Sequence, residues 1–415
     1  MSSIKLKHSG GNSVSIAAPS SNPASDRTLT LPSDADGTIV SKDTSNNVEG
    51  IASINGGAIG TKNLIINGAM NVAQRGTSST DNGYATIDRF KISRSGVDEF
   101  NTQAQVALTS SDTGPYEKGF RNCFKVTNGN QTGGAGDNDR LEIQYLVEAQ
   151  DLASSGWNYT SASSFITLSF WIKSSVAQAF FVRLQTQDGT QYRYKTSTGS
   201  LSANTWTKIT KTIPGNSNLV FDNNTGPGLR LSFYAFAGTN YSDSSATETW
   251  AANETGNRTS DMTSTWYTTN DATLELTGVQ LEVGSVATDF EHRTYEDELR
   301  RCQRYFQTLG GSPNYCLFAP ATGNGGTVVT AFYKAPVTFR AVPAYSYSSL
   351  SDLNIYDFGA ETSRGSPTGS ALITSISNKD WIYIDNNVSG TTAGAGHMFR
   401  ANNTANARFN LDADF

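Results

Sequence analysis

The sequence predicts an all-β protein, and two observations lead to that prediction. Short stretches of alternating apolar and polar residues recur along the chain, separated by Gly, Asn and Ser, which is the pattern of strands joined by turns. Only 16% of the 415 residues are charged, whereas 10% are aromatic and 38 are Gly. This composition provides rings for cores and leaves uncharged polar residues for the solvated faces of antiparallel sheets.

Four parts are expected along the chain. They are an N-terminal segment of short strands with a linker over residues 1–62, a β-sandwich jelly roll over 63–293, one short connector helix over 294–307, and a C-terminal β tip domain over 308–415.

The first part contains alternating runs at 4–7, 14–16, 29–31 and 38–40, separated by turn residues. These runs are too short and too polar to bury a core alone, so they need other copies of the chain or a partner surface. Residues 41–62 are rich in Ser, Asn and Gly and are typical of a linker.

The second part has the length and the strand spacing of one sandwich domain. Its strands are predicted at 63–68, 84–92, 123–126, 141–146, 165–173, 179–184, 205–213, 229–234 and 272–282.

The third part is the helix. Thr294 is a candidate N-cap with Asp297 three residues later, and acidic residues in the first turn precede arginines, an order that complements the helix dipole. Its predicted apolar stripe comprises Tyr295, Leu299, Cys302 and Phe306. In the fourth part, strands are predicted at 327–333, 344–347, 381–384 and 407–415.

Several classes of function are disfavoured. The formal net charge of −6 argues against nucleic-acid binding, which needs a basic surface. The sequence contains no run of about 18 apolar residues, so no membrane-spanning segment is predicted. The N-terminus lacks an apolar signal core, so synthesis in a reducing cytoplasm is expected. Cys123, Cys302 and Cys316 are too few and scattered for a disulfide framework or a zinc site, so no metal or other cofactor is predicted.

Several motifs resemble the fibre proteins of bacteriophages. Residues 4–11, 15–19 and 27–32 are similar to the N-terminus of cyanophage and marine-phage fibres. Residues 63–76, with Asp88, Arg89 and Phe90, resemble the start of the jelly-roll domain of phage tail fibres. Further matches, in family order, are 279–284, 287–293 and 298–306 for that domain's closing strand and trailing helix, and 335–343 for the tip.

The resemblance implies a homotrimeric tail fibre, or receptor-binding fibre, located in the virion and made in the host cytoplasm. Its N-terminus would bind phage tail proteins (an adaptor, nozzle or baseplate), and its distal part would attach to host surface polysaccharide. The jelly roll is also similar to carbohydrate-binding modules, many of which hold a structural calcium. Here Ala69, Met70, Thr277 and Gly278 stand at the corresponding places, which leaves that calcium open.

Sugar binding requires exposed aromatic faces beside planar polar groups. Four candidate rings lie in Ser/Thr/Asn-rich loops and three near the distal end: Trp157, Trp250, Trp266 and Tyr267, then Tyr315, Trp381 and Tyr383. The alternative is that these rings cover the ends of the sandwich. Trp171 and Trp206 fall in regular strands and are expected in the core.

No catalytic residues are predicted, and the protein is not expected to be an enzyme. The glutamates that could serve a glycosidase are Glu142, Glu148, Glu275 and Glu282. Each alternates with apolar neighbours and is interpreted as a carboxylate on the solvated face of a strand. Two alternatives to receptor binding stay open: a purely structural virion fibre, attached to capsid or tail, and a glycan depolymerase.

Overall fold

The computed structural model describes residues 62–415 in full and, before them, only short strands. Residues 1–52 and 53–415 form two compact units. In the first unit, β1 (Ser3–Lys7) pairs antiparallel with β2 (Ser13–Ala17), at the positions of two predicted strands. The strands predicted at 29–31 and 38–40 lie outside the described residues.

The second unit begins with a minimal hairpin of β3 (Ser53–Ile54) and β4 (Gly57–Ala58). Two six-stranded antiparallel sheets follow. The first has the order β13-β10-β16-β8-β7-β5, and the second has the order β15-β12-β11-β14-β9-β6. Their bounds are β5 (Ser78–Ser79), β6 (Phe90–Ser95), β7 (Thr102–Ala107), β8 (Asn122–Thr127), β9 (Arg140–Glu148), β10 (Phe165–Ser174), β11 (Ala179–Thr186), β12 (Tyr192–Ser200), β13 (Thr207–Pro214), β14 (Pro227–Ala237), β15 (Trp250–Ala252) and β16 (Thr273–Val283).

Alternating residues of the strands build the core between the two sheets. In β10, Ile166, Leu168, Phe170 and Ile172 are buried, because successive side chains of a strand point to opposite faces. Equivalent apolar rows from β9, β11 and β14 face them across the sandwich. The predicted all-β fold with a central sandwich is confirmed.

The strand predicted at 63–68 is wrong. This segment crosses the end of β16, where the amide of Leu64 donates to the carbonyl of Leu281 and that of Val279 to the carbonyl of Gly68. It then turns: the amide of Met70 donates to the carbonyl of Asn67. Asn67 has a φ of 60°, a left-handed conformation that asparagine tolerates better than most residues.

The helix predicted at 294–307 is present as α3 (Tyr295–Gln303), and two shorter helices, α1 (Ala149–Ala153) and α2 (Thr265–Thr268), were not predicted. The hydroxyl of Thr294 accepts a hydrogen bond from the amide of Asp297, as the capping pattern predicted. The predicted stripe is only partly correct: Cys302 is buried, but Tyr295 is 57% exposed. The helix ends four residues early because Phe306 enters the next strand.

The C-terminal region forms two further antiparallel sheets, of order β17-β26-β20 and β22-β21-β25-β18-β19-β24-β23, around a separate hydrophobic core. Their strands are β17 (Phe306–Gly310), β18 (Leu317–Gly323), β19 (Val328–Lys334), β20 (Ala344–Tyr347), β21 (Leu353–Asp357), β22 (Thr362–Gly365), β23 (Gly369–Leu372), β24 (Trp381–Asn387), β25 (Gly396–Ala401) and β26 (Arg408–Asp412).

The end of the chain returns to the sandwich. Asp414 accepts hydrogen bonds from the guanidinium groups of Arg89, at 2.6 Å, and Arg75, at 2.9 Å. Arg340 donates to the carbonyl oxygens of Ala413 and Asp414. These bonds join the C-terminal sheets to the sandwich through buried charges.

In the described part of the chain, no helix is both long and apolar enough to cross a membrane. Within the same residues, no group of three or more His, Cys, Asp or Glu side chains is arranged to hold a metal ion.

Replacing Asp414 with Asn is expected to destabilise the fold by about 3–5 kcal/mol, because two buried arginines would lose their common counter-ion. Urea unfolding should measure this loss. Asp412→Asn is the matched control: its side chain is 42% exposed and also pairs with Arg75, so it should cost less than about 1 kcal/mol. Equal losses in the two variants would contradict the role given to Asp414.

Asp88 predicts a pH dependence of stability. Burial raises its pKa to about 6, from an ordinary 3.8, against the opposing effects of Arg75 and Gln74. Between these two pH values the folded protein holds a proton that the unfolded chain releases, so Asp88 lowers stability progressively as the pH rises from about 4 to about 6. Urea unfolding across this range should show that slope in the wild type, and Asp88→Asn should reduce it. Identical pH profiles would contradict the assignment.

Candidate functional site

Four of the predicted sugar-binding rings are buried in the sandwich. Trp266 and Tyr267 are 0% exposed, and Trp157 and Trp250 are below 10%. Their faces are covered by protein, which corrects the prediction that they stand free for a sugar. All four belong to the hydrophobic core of the sandwich.

Hydrogen bonds explain how rings from polar stretches of the sequence are accommodated in the interior, with Trp250 on β15 and Trp266 on α2. The indole N–H of Trp266 donates to the carbonyl of Thr273 at 2.9 Å, and that of Trp250 to the carbonyl of Pro214 at 2.7 Å. A buried indole needs such an acceptor. Trp171 and Trp206, which were expected in the core, are instead half-buried on the outer face of the first sheet, where Trp206 donates to Asp112.

The other three predicted rings lie on the solvent side of the seven-stranded C-terminal sheet. Trp381 and Tyr383 alternate along β24 with the buried Ile382 and Ile384, so both rings point outward. Trp381 and Tyr315 are each 46% exposed. The structure therefore keeps these three candidates available for a ligand.

Neighbouring strands extend the row of outward rings. Tyr383 is paired with Phe332 on β19, with ring centroids 5.6 Å apart and nearly perpendicular. Trp381 is paired with Lys334, whose Nζ lies 5.3 Å from the centre of the indole. Phe332 was not predicted because the sequence does not tell which strand neighbours β24.

The row continues across the sheet to Tyr356. Pro320 on β18 lies opposite Met398 on β25, which lies opposite Tyr356 on β21. The guanidinium of Arg400 is 4.2 Å from the ring centre of Tyr356 and 4.8 Å from that of Tyr315. We call the surface formed by Tyr315, Phe332, Tyr356, Trp381, Tyr383 and Arg400 the aromatic face.

Polar groups border the aromatic face. Asp385 follows Tyr383 on the same side of β24 and accepts a hydrogen bond from the hydroxyl of Thr330 at 2.6 Å. Arg400 donates from Nε to the amide oxygen of Asn354. Half-exposed rings beside a carboxylate, an amide and a guanidinium are the combination that can stack on a pyranose and hydrogen-bond its hydroxyls.

The four glutamates considered for catalysis are buried rather than solvated, which corrects their interpretation. Glu148 accepts hydrogen bonds from Arg304 and Tyr305. Although burial opposes ionisation, these bonds hold the pKa of Glu148 below its ordinary value. Glu275 pairs with Lys173 at 2.9 Å, Glu282 accepts from Thr288, and Glu142 lies 3.2 Å from Arg140. Each carboxylate thus contacts protein groups.

No protein-family model and no curated protein sequence matches the chain. Among solved structures, the enzymatically active domain of tailspike protein 4 of bacteriophage CBA120 is 10% identical with a TM-score of 0.29, covering 53% of this chain and 21% of that one. The chain thus spans about a fifth of that domain.

Two carbohydrate-binding structures are also similar. A CBM4 structure is 12% identical with a TM-score of 0.28, covering 52% of this chain and 97% of its own. The N-terminal cellulose-binding domain of the Cellulomonas fimi β-1,4-glucanase C is 12% identical with a TM-score of 0.24, covering 52% and 99%. All these TM-scores are below 0.3, so these similarities assign no function to this chain.

The different positions of two tryptophans predict different stability effects. Trp266→Ala should lower the free energy of unfolding by about 3–5 kcal/mol, because it opens a cavity in the sandwich core. Trp381→Ala should change it by only about 0.5 kcal/mol, as at other exposed positions. Urea unfolding of both variants measures the contrast. A large loss on removing Trp381 would show that this ring belongs to a core.

Proposed function

We propose that the protein is a non-enzymatic structural fibre of a bacteriophage virion, and that its aromatic face binds polysaccharide on the host surface. The observation that carries the binding proposal is the row of outward rings on adjacent strands, Trp381 and Tyr383 beside Phe332. The placement in a virion is supported by the ordered sequence motifs that resemble phage fibres.

The chemistry of the aromatic face suits a chain of sugars. The faces of Trp381 and Tyr383 would stack on the apolar sides of pyranose rings, while Asp385 and Arg400 would hydrogen-bond the hydroxyls. Because these rings are carried by one regular strand, their spacing is fixed before binding, and little side-chain freedom is lost on contact.

The proposed assembly is a homotrimer, whose N-terminal segment of residues 1–62 attaches to a tail adaptor, nozzle or baseplate protein. Three copies per fibre and several fibres per particle would raise avidity by ~10²–10⁴ over a single weak contact. A shallow, half-exposed surface is therefore sufficient for attachment.

Trp381→Ala and Tyr383→Ala should weaken binding to an array of immobilised bacterial surface polysaccharides. Loss of one stacked ring, worth about 0.5–1.5 kcal/mol, should reduce the affinity of a single site by about 2–10-fold, and multivalent binding by more. Point variants are preferable to deleting residues 308–415, because that deletion would also remove Asp414 from Arg89. Tyr295→Ala is the control, since Tyr295 is at least as exposed as Trp381 but lies on α3, outside the aromatic face.

The outcomes separate the candidate functions. The proposal is supported if polysaccharide binding falls in both Trp381→Ala and Tyr383→Ala, which we call the tip variants, but not in Tyr295→Ala. Unchanged binding in the tip variants would show that the polysaccharide binds outside the aromatic face. If the wild type binds no polysaccharide, a purely structural fibre is favoured. Release of new reducing ends from the polysaccharide would identify a depolymerase instead.

A further inference from the structure

The second sheet of the sandwich carries an unusual outward face. A solvated sheet face usually bears small polar side chains. On this face, the outward positions of neighbouring strands instead place long cationic side chains opposite one another. Arg193, Gln185 and Arg230 form one row across β12, β11 and β14, and Lys195, Arg183 and Ser232 form the next. The third row continues with Tyr234 and Glu142.

This face is buried although it points away from the core. Arg183 and Arg193 are each 1% exposed, and Lys195 is 0% exposed. Residues 239–264, which we call the strap, include the edge strand β15, and the segments on either side of β15 contact this face. Lys195 donates to Asp243 and to the carbonyl of Thr259, and Arg193 donates to the hydroxyl of Ser245 at 2.6 Å. The strap thus encloses the charged rows.

The enclosed polar atoms are poorly satisfied. Considering only residues that the structure describes, no hydrogen-bond partner exists for Nε of Arg183, Nε and Nη1 of Arg193, or Nε of Arg230. The same holds for the side-chain oxygens of Gln185, Ser232 and Tyr234, and for both carboxylate oxygens of Glu142 in the third row. Buried polar groups are normally paired, so a cluster of this size indicates that something other than the protein satisfies it.

The charges are also unbalanced. None of Arg183, Arg193, Arg230 and Arg258 has a carboxylate within salt-bridge distance among the described residues, because Asp243 pairs with Lys195 and Glu142 lies beside Arg140. Burial, and then the charge of Arg183, lowers the pKa of Arg230. Like charges gathered in an enclosed space favour an anion.

We propose that Arg183, Arg193 and Arg230, together with Arg258 of the strap itself, form a second binding site for an acidic sugar bearing a carboxylate or sulfate group. Guanidinium groups bind such oxyanions through paired hydrogen bonds. Arg230 and Arg258 are half-buried, so the site reaches solvent at their edge. This inference shares with the proposed function only the premise that the protein binds glycans.

The unpaired neutral groups select a sugar over a bare anion. Gln185, Ser232 and Tyr234 offer acceptors and donors beside the guanidiniums, and sugar hydroxyls can serve both roles. An inorganic oxyanion would neutralise the charge but would leave the acceptor of Gln185 unused. An acidic sugar satisfies both kinds of group at once.

The test is thermal unfolding and calorimetric titration of the full chain with oligogalacturonate, a sulfated galactan and a neutral galactan of matched length. Sodium sulfate at the same ionic strength is the fourth arm. Since a ligand that binds only the folded state raises the melting temperature with concentration, at least one acidic glycan should raise it and the neutral galactan should not.

Arg183→Gln gives the sharper result. This variant should bind the acidic glycan at least 10-fold more weakly, and its melting temperature without ligand should rise, because an unpaired buried charge is removed. A purely structural Arg183 would instead give a lower melting temperature. Arg121→Gln, at an exposed position directly before β8, should alter neither quantity.

Trp381→Ala should leave the acidic-glycan response unchanged, so failure at the aromatic face and failure under the strap are distinguishable. The proposal is overturned if neither acidic glycan shifts the wild-type melting temperature, if the neutral galactan shifts it equally, or if sodium sulfate alone reproduces the effect. It is also overturned if Arg183→Gln binds as the wild type does.

Discussion

The fold of residues 62–415 depends on one buried ion pair, between Arg89 and Asp414. Arg89 lies in the sandwich, 1% exposed, and its guanidinium also donates to the carbonyl of Leu146 and stacks 3.4 Å above the ring centre of Tyr305. Asp414 is the penultimate residue of the chain. A buried charge of this kind requires a partner, so the sandwich is complete only when the C-terminal strand has returned to it. Arg75 and Arg340 strengthen the same joint from either side.

This ion pair shows that the sandwich and the C-terminal sheets are not independent of each other. The sandwich and the C-terminal sheets have separate hydrophobic cores, as independent domains do. Nevertheless, the counter-ion of the buried Arg89 in the sandwich is Asp414 of the C-terminal region. The pair Glu148 and Arg304 repeats the arrangement at the end of α3. The two β regions are therefore connected by paired charges.

Much of the fold follows from local alternation, but the position of the rings does not. The pattern in β10 predicts a strand, and it also places Ile166, Leu168 and Phe170 on one face and Trp171 on the other. The same alternation therefore excludes Trp171 from the core between the sheets. Trp266 is the opposite case, since the short helix α2 in a polar stretch of the sequence carries it into the core, where a carbonyl accepts a hydrogen bond from its N–H. Loop path is set by long-range contacts that no local pattern encodes. The aromatic face was predictable only in part, because Trp381 and Tyr383 share a strand whereas Phe332 and Tyr356 join them through sheet order.

The chain treats equally buried arginines in two ways. Arg89 has a carboxylate, a carbonyl and an aromatic ring around it, and the result is a structural joint. Arg183 is buried to the same extent, but its neighbours across the sheet are Lys195 and Ser232, and its Nε has no partner among the described residues. If burial alone were required, a neutral residue of similar size would serve better there, because an unpaired charge destabilises the folded state. The retention of unpaired charges at Arg183 and Arg193 is explained by the acidic sugar proposed to bind beneath the strap. The difference in pairing, not in burial, separates these two arginines from Arg89.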